Sequence, residues 1–410
     1  MTNFRLASVS GLADAFGRLR VASPITIFDS TLVYDLQATW WLDVVNNGSV
    51  THQSNLAAAR LSTGGTTTGN YAYRQTRSFF QYQPGKSQCA MFTGTIGAAT
   101  TNVRKRLGLF YSENGLFFEQ TGSGLGVVQR SFTSGAVVDT RVEQADWNID
   151  RMDGTGVSGV LLDVTKSQIM TIDFEWLGVG QVRFGFIING TTYYVHRFLN
   201  ANSITTAYMS TPHLPVRFEI ENTATALSTG TLDVNCVMLV SEGGTSDPGG
   251  YTFSRGSATG LSVSTRRAVL SIRPAALFAT KVNRTVIAPR SINLTAATQG
   301  IYYEIVYNPT YTGTPTWTAV DALSGVEYSV HGDAAAGAIT AGKVISSGFL
   351  VAGGATGDTA FAKEFQPIIP TRWPLTLDIA GANPTALAIV ATSLTGTASV
   401  HSSIDWNEYR

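Results

Sequence analysis

Charge is what this sequence has least of. Only 14% of its 410 residues are Asp, Glu, Lys or Arg, against roughly 25% in an ordinary soluble domain. The balance is neutral as well, 28 basic against 28 acidic residues. That removes the electrostatic warrant for nucleic-acid binding, which relies on clustered Lys and Arg to release counterions from phosphates. It argues equally against an anionic membrane surface as a partner. Cysteine is nearly as scarce. Cys89 and Cys236 form neither a metal spacing nor a disulfide framework, and both read as buried thiols, with a single bridge between them left open. No uncharged apolar run approaches the roughly 20 residues that span a bilayer. Residues 1–20 carry Arg5, Arg18 and Arg20 where a signal peptide would be apolar, so a product made in the cytoplasm is expected. Helical periodicity is missing too, because glycine interrupts nearly every candidate window.

What fills the gap is 41 Gly together with abundant Ser and Thr, at a hydrophobic content of 44%. Strand patterns are everywhere. Thr171-Ile172-Asp173-Phe174-Glu175-Trp176-Leu177 alternates with period two, as do residues 182–188 and 193–198. Between the last two lies Asn189-Gly190, residues that accept positive φ and so favour the type I′ turn of a tight hairpin. Further strands are predicted at 30–42, 78–83, 87–95, 106–111, 115–120, 127–132, 160–164, 216–222 and 232–240. Ser241 to Gly250 is punctuated by Gly and Pro and reads as a linker. Strand patterns resume at 261–274, 301–307, 317–320, 344–351, 375–379 and 386–392. The expected fold is all-β: two antiparallel β-sandwich or jelly-roll domains with an extended N-terminal arm. The boundaries are an arm at 1–23, a large concanavalin-like sandwich at 24–242, a linker at 243–256 and a smaller sandwich at 257–410.

No catalytic motif survives inspection. Gly154-Thr155-Gly156-Val157-Ser158-Gly159 matches a dinucleotide pattern but runs into a strand-like segment, not the helix whose amides would hold a pyrophosphate; it reads as a loop. Gly85-Lys86-Ser87 lacks the earlier glycine of a phosphate loop, since Phe80 stands there. Asp146-Trp147-Asn148-Ile149-Asp150 offers alternating oxygen ligands, but a calcium loop wants Gly and Glu where Arg151 and Val157 stand. An Asx-rich turn is the reading favoured, with structural calcium the alternative. Asp173 and Glu175 place two carboxylates on one face of a strand. Laminarinase-type glycoside hydrolases carry Glu, Asp and Glu at alternate strand positions, and the first Glu would fall on Thr171. Without that nucleophile retaining hydrolysis fails, so Asp173 and Glu175 are expected to face solvent while Ile172, Phe174 and Trp176 face the core. The five histidines show no metal-ligand spacing. Neither a cofactor nor a metal is expected. Arg outnumbers Lys 22 to 6; Arg tolerates desolvation and forks onto carboxylates, and protein interfaces are rich in it. The composition therefore reads as that of a protein that assembles.

Asp14-Ala15-Phe16-Gly17-Arg18-Leu19-Arg20-Val21-Ala22-Ser23-Pro24-Ile25-Thr26-Ile27-Phe28-Asp29 resembles an opening segment of virion structural proteins of tailed bacteriophages. Tyr82-Gln83-Pro84-Gly85-Lys86-Ser87-Gln88, Asp146 to Asp150 and Asp173 to Gly185 extend the likeness over about the first 240 residues, discontinuously. The resemblance implies a non-enzymatic part of the tail, neck, baseplate or fibre apparatus. Its arm, through Asp14, Phe16, Arg18, Leu19, Arg20 and Pro24, would dock on the particle or on a neighbouring subunit, or become ordered on its own sandwich. The partners implied are other virion proteins and copies of itself in a homo-oligomer, with no nucleic acid and no membrane, and a location in the virion. The alternatives are a capsid decoration protein, or an adhesin stacking host surface glycans on Trp40 or Trp147.

Overall fold

The structure, a computed structural model, describes residues 11–244, 250–353 and 373–410, together with the backbone of Phe361–Glu364. Residues 1–10 of the expected arm and 245–249 of the expected linker lie outside the described residues. The chain divides into two compact units, Met1–Ser246 and Asp247–Arg410, a division that falls inside the Gly/Pro-rich segment 243–256.

The first unit is built from β1 (Ile25–Thr31), β2 (Trp41–Asn46), β3 (Ser49–Gln53), β4 (Ala58–Ser62), β5 (Tyr71–Thr76), β6 (Gln88–Thr95), β7 (Val103–Phe110), β8 (Gly115–Thr121), β9 (Gly124–Ser131), β10 (Val138–Glu143), β11 (Gln168–Phe174), β12 (Gln181–Ile188), β13 (Thr191–Leu199), β14 (Val216–Asn222) and β15 (Thr231–Ser241). One sheet runs β13-β12-β11-β6-β15-β4-β3 with β1 added along β15; the other runs β10-β9-β8-β7-β14-β5-β2. All these pairings are antiparallel. Alternation along each strand sends one side inward. Phe92, Ile172, Phe174, Phe184 and Phe186 of the first sheet meet Leu107, Phe118, Val127 and Phe218 of the second in one continuous core. Phe118 and Phe184 make an edge-to-face contact across the two layers at 5.3 Å, a geometry favoured by the ring quadrupole. The Asn189-Gly190 hairpin forms as expected, with φ of 51° and 79° at the two turn residues and β12 and β13 in register around it.

Three strand expectations of this unit are corrected, and in the second unit the expected strand at 375–379 contributes only isolated bridges at Leu375 and Leu377. Residues 32–40 form turns, with Gln37 at φ 51°, because Leu32 drops into the core and the chain must cross from one sheet to the other. Segments 78–83 and 160–164 contribute only isolated bridges, Phe80 to Leu214 and Asp153 to Leu161. Cys236, expected buried, is exposed and Cys89 is buried, both as free thiols. The register shift between Val234 and Cys236 turns Cys236 outward.

The second unit is also an antiparallel sandwich, with a five-stranded and a six-stranded sheet. Its last strand, Ala398–Tyr409, alternates buried and half-buried positions over its whole length and pairs with Tyr251–Gly256, Leu261–Val263 and Val286–Ala296. Along that strand Val400, Ile404 and Trp406 are buried. So is Glu408, whose carboxylate accepts from the Ser324 hydroxyl at 2.5 Å, the Gly325 amide at 2.8 Å and the Trp406 indole at 3.0 Å.

Each unit buries a histidine. Burial pushes His196 down to about 4, and burial together with Arg267 does the same to His331. An unfolded imidazole titrates near 6.5, so on acidification the unfolded chain takes up protons that the native chain refuses. This stabilising term is whole above about pH 6.5 and falls as pH drops towards 4, by about 2 kcal/mol per imidazole between pH 6.5 and 5. Calorimetric unfolding across that window, above the carboxylate range, should show both units losing stability. His331→Asn should flatten the profile of the second unit only.

Candidate functional site

The polar cluster that organises the first unit lies on the outer face of its first sheet. In register, Asp173 of β11 has Arg183 of β12 on one side and Cys89 of β6 on the other. Arg183 forks onto the carboxylate, Nε at 2.7 Å and Nη2 at 2.5 Å, and its guanidinium carbon lies 4.2 Å from the Tyr194 ring centroid. The Tyr194 hydroxyl donates to the same carboxylate at 2.5 Å. Asp173 and Arg183 are both 0% exposed.

What closes over them is the arm. Residues 11–21 fold into a tight hairpin. Asp14 opens the turn, its carboxylate accepting from the Arg18 amide at 2.8 Å and Nε at 2.9 Å, and Gly17 supplies the φ of 73° that the reversal requires. The return strand then delivers Arg20 into the sheet. Its Nη2 donates to Asp173 at 2.7 Å and its Nε to Glu242 at 2.5 Å. Arg183 also donates to the Ala13 carbonyl at 2.8 Å, Gln181 to the Ala15 carbonyl at 3.1 Å and Arg18 to the Gly85 carbonyl at 3.0 Å, while the Ala15 amide donates to Ser87 Oγ at 3.3 Å. Ala13, Asp14 and Ala15 are buried by this docking. The exposed side of the hairpin carries Leu12, Leu19 and Val21.

The electrostatics follow from closure. Burial works against the Arg20 charge, but Tyr194, Glu242 and Asp173 outweigh it and raise the guanidinium above its ordinary value. Burial, reinforced by Asp173, lifts the Tyr194 hydroxyl far above a free phenol. Burial pushes the Cys89 thiol up to about 12, and the Glu242 carboxyl is raised by burial in spite of Arg20.

Several expectations change here. Asp173 does not face solvent, because the arm brings a second guanidinium to it and seals it off. Glu175 is not beside it on the strand, which ends at Phe174; its Oε1 accepts from the Gln181 amide at 3.0 Å. Thr171, 1% exposed, contacts Cys89 Sγ, so no carboxylate stands where a retaining hydrolase would need its nucleophile. Of the arm residues, Arg18 and Arg20 bond to the chain's own sandwich, while Asp14 is buried and bonds within the hairpin to Arg18; Phe16 is half-buried beneath the Arg18 guanidinium at 4.5 Å, and Leu19 and Pro24 are exposed. Trp147 is 4% exposed, packed near Phe186 at 6.2 Å, and Trp40 lies half-buried against Phe28. Trp147 fills a gap at the edge of the core and presents no open face, whereas Trp40 keeps part of its ring exposed. In the loop after Trp147, Asp150 accepts backbone amides from Met152 and Ser158, an Asx turn.

A second polar surface escaped the sequence reading. On the outer face of the second sheet, Arg104 and Arg106 of β7, Glu119 of β8, Arg130 of β9, Asp139 and Arg141 of β10, and Arg217, Glu219 and Glu221 of β14 alternate across strands. Arg106 pairs with Glu119 at 2.6 Å and Arg130 forks onto Asp139 at 2.7 and 2.8 Å. Beneath the guanidiniums Phe110, Phe117 and Val128 form a small buried cluster. At one end a groove of about 490 Å³ is lined by Asn102, Arg104, Arg106, Glu119, Thr121 and Asp139, among others. The sequence signal was present as charges at alternate positions of 139–143 and 217–221, with Arg104 and Arg106 flanking Lys105, but only register shows that the charges interlock.

No family model and no curated protein matches the chain. Among solved structures it is similar to a glycoside hydrolase family protein from Mycobacterium thermorestibile, at 12% identity and TM-score 0.35, over 52% of this chain and 99% of that one. It is similar to a beta-1,3-glucanase from Mycobacterium marinum, at 11% and 0.36, over 53% and 100%. It is also similar to a legume lectin-like domain from Entamoeba histolytica, at 9% and 0.31, over 53% and 98%.

The buried cluster makes a graded prediction. Asp173→Ala strands two guanidiniums and should cost about 3–5 kcal/mol. Arg20→Ala, which leaves Asp173 paired with Arg183, should cost about 1.5–3 kcal/mol. It should also speed tryptic cleavage after Arg18 as the hairpin opens locally. Urea unfolding and timed proteolysis read the two effects, and equal costs for both variants would contradict the nested pairing.

Proposed function

We propose that this protein is a non-enzymatic structural component of a phage virion, a double sandwich that assembles with copies of itself and other virion proteins in the tail, neck, baseplate or fibre apparatus. The observation that carries the non-enzymatic half is the state of Asp173. The carboxylate best placed for chemistry accepts from two arginines and a tyrosine, under a segment of its own chain. A general acid or nucleophile must meet its substrate at hydrogen-bond distance, and here the arm occupies that space. The virion half rests on the resemblance of residues 14–29 and the later motifs. A surface with few charges and exposed Leu12, Leu19 and Val21 on the docked arm suits a chain that lies against others.

A second reading is glycan contact. The groove at Arg104, Arg106, Glu119 and Asp139 favours it, because forked donors beside carboxylates suit the vicinal hydroxyls of a sugar. Trp147, being buried, does not contribute to that reading.

Incubated with laminarin or mixed-linkage β-glucan, the protein should release no reducing ends above a protein-free control, and measurable turnover would end the non-enzymatic reading. In particle reconstitution, deletion of residues 1–22 should abolish incorporation while both sandwiches keep their circular dichroism. Normal incorporation would remove the arm from assembly. Specific glycan-array binding lost in Arg104→Ala would move the assignment to the second reading.

A further inference from the structure

The pocket formed by Asp173, Glu242 and Tyr194 is a socket whose occupant is already visible: an arginine presented by a short hairpin. Socket and plug belong to one chain, yet they are joined only through residues 21–24, all of them exposed and outside any strand. We propose that the plug is exchanged, so that residues 11–21 of one chain fill the Asp173–Glu242 socket of a second copy in the assembled state. The inference deepens the assembly reading above and rests on it, naming the partner of the arm as this same chain.

Three features carry it. First, every contact that holds the hairpin on the body can be made identically from another copy. The guanidinium of Arg20 meets Asp173 and Glu242, Arg183 and Gln181 meet the Ala13 and Ala15 carbonyls, and Arg18 meets the Gly85 carbonyl. The hairpin's own bonds, Asp14 to Arg18 and Arg20 to the Leu12 carbonyl, travel with it. Exchange therefore keeps the contact energy and changes only the connector. Second, that connector contains Pro24, which fixes an extended backbone and restricts the residue before it. Straightening four residues carries the hairpin up to about 14 Å from its own socket. Third, with equal contacts, concentration decides. A short tether holds its plug at an effective concentration on the order of millimolar, so dilute protein keeps its arm at home. Copies packed side by side in a particle present neighbouring plugs at a comparable local concentration, and exchange then links the subunits without new contacts.

A disulfide trap reads this directly. A Cβ placed on Gly11 would lie 3.4 Å from Thr192 Cβ, close to the roughly 3.5–4.5 Å of a disulfide. In a Cys236→Ser background, which removes the exposed thiol, the double variant Gly11→Cys, Thr192→Cys should close within one chain when dilute and oxidised. The decisive sample mixes full-length Gly11→Cys with full-length Thr192→Cys, at a concentration on the order of 1 mM. Under slow oxidation a covalent heterodimer should accumulate on non-reducing gels, because the trap is irreversible and collects a minor population. Adding Arg20→Ala to the Gly11→Cys chain should reduce that product several-fold. If the double variant closes internally while the mixture gives no heterodimer, arm exchange is overturned. If the double variant does not close, the docking geometry itself is overturned, and exchange with it. Sedimentation of the wild-type chain separates these results from the broader reading. Self-association without cross-linking leaves the assembly proposal standing with the arm in cis, whereas a monomer at every concentration that is also absent from particles removes both.

Discussion

Asp173 sits between two guanidiniums and a phenol with no access to water, and the architecture of the first unit is arranged around keeping it so. Taking a carboxylate out of water costs several kcal/mol unless hydrogen bonds and opposite charge replace the lost hydration. Arg183 alone could satisfy the charge from the neighbouring strand. It could not close the outer face of the sheet, because a sheet face is open to solvent unless another element lies on it. The arm performs that closure, and the second guanidinium is the means by which it is held. Cause runs in both directions: the hairpin is ordered because Arg20 finds the cluster, and the cluster is dry because the hairpin lies over it.

The same logic explains why the arginine surplus took a different form from the one its composition suggested. An excess of Arg over Lys reads as an interface signature, yet many of these side chains are engaged within the chain. Arg74 is fully buried, stacked on Trp41 and paired with Asp43. Arg106, Arg130 and Arg217 cover a second apolar cluster from the solvent side of the other sheet. A planar fork can satisfy a carboxylate and stack on a ring at once, so one residue type serves buried pairing, outer-face covering and the arm latch. An ammonium, a point charge with strong hydration, would not do this. Lys105 illustrates the contrast, since burial pulls its pKa down to about 8.

Period-two alternation gave away the strands and the Asn189-Gly190 hairpin, because those signals are local. It could not say which side of a strand is dry. Ile172 and Phe174 declared one buried side of β11, and the natural inference that the opposite side is wet failed at Asp173, since the covering element lies more than 150 residues away in sequence. Trp147 was misjudged for a related reason. A ring flanked by Asp146 and Asn148 looks exposed, but the chain turns there and the ring fills the end of the core against Phe186. The strand Ala398–Tyr409 escapes a local reading because its inward positions include Ser402 and Glu408, and Glu408 is satisfied by Ser324 and Gly325, which no local window contains.

These failures share a direction that bears on function. Asp173 and Glu408 are polar groups whose partners are remote in the chain, and no local window shows that they are covered. With Arg183 and Arg20 in place the Asp173 carboxylate is covered, and the exposed positions of the arm carry Leu12, Leu19 and Val21 beside Arg18. A chain that withdraws its charges into internal pairs lowers the desolvation cost of laying its surface against another protein. Low charge content, arginine in place of lysine and a sealed carboxylate are then one design seen at three levels.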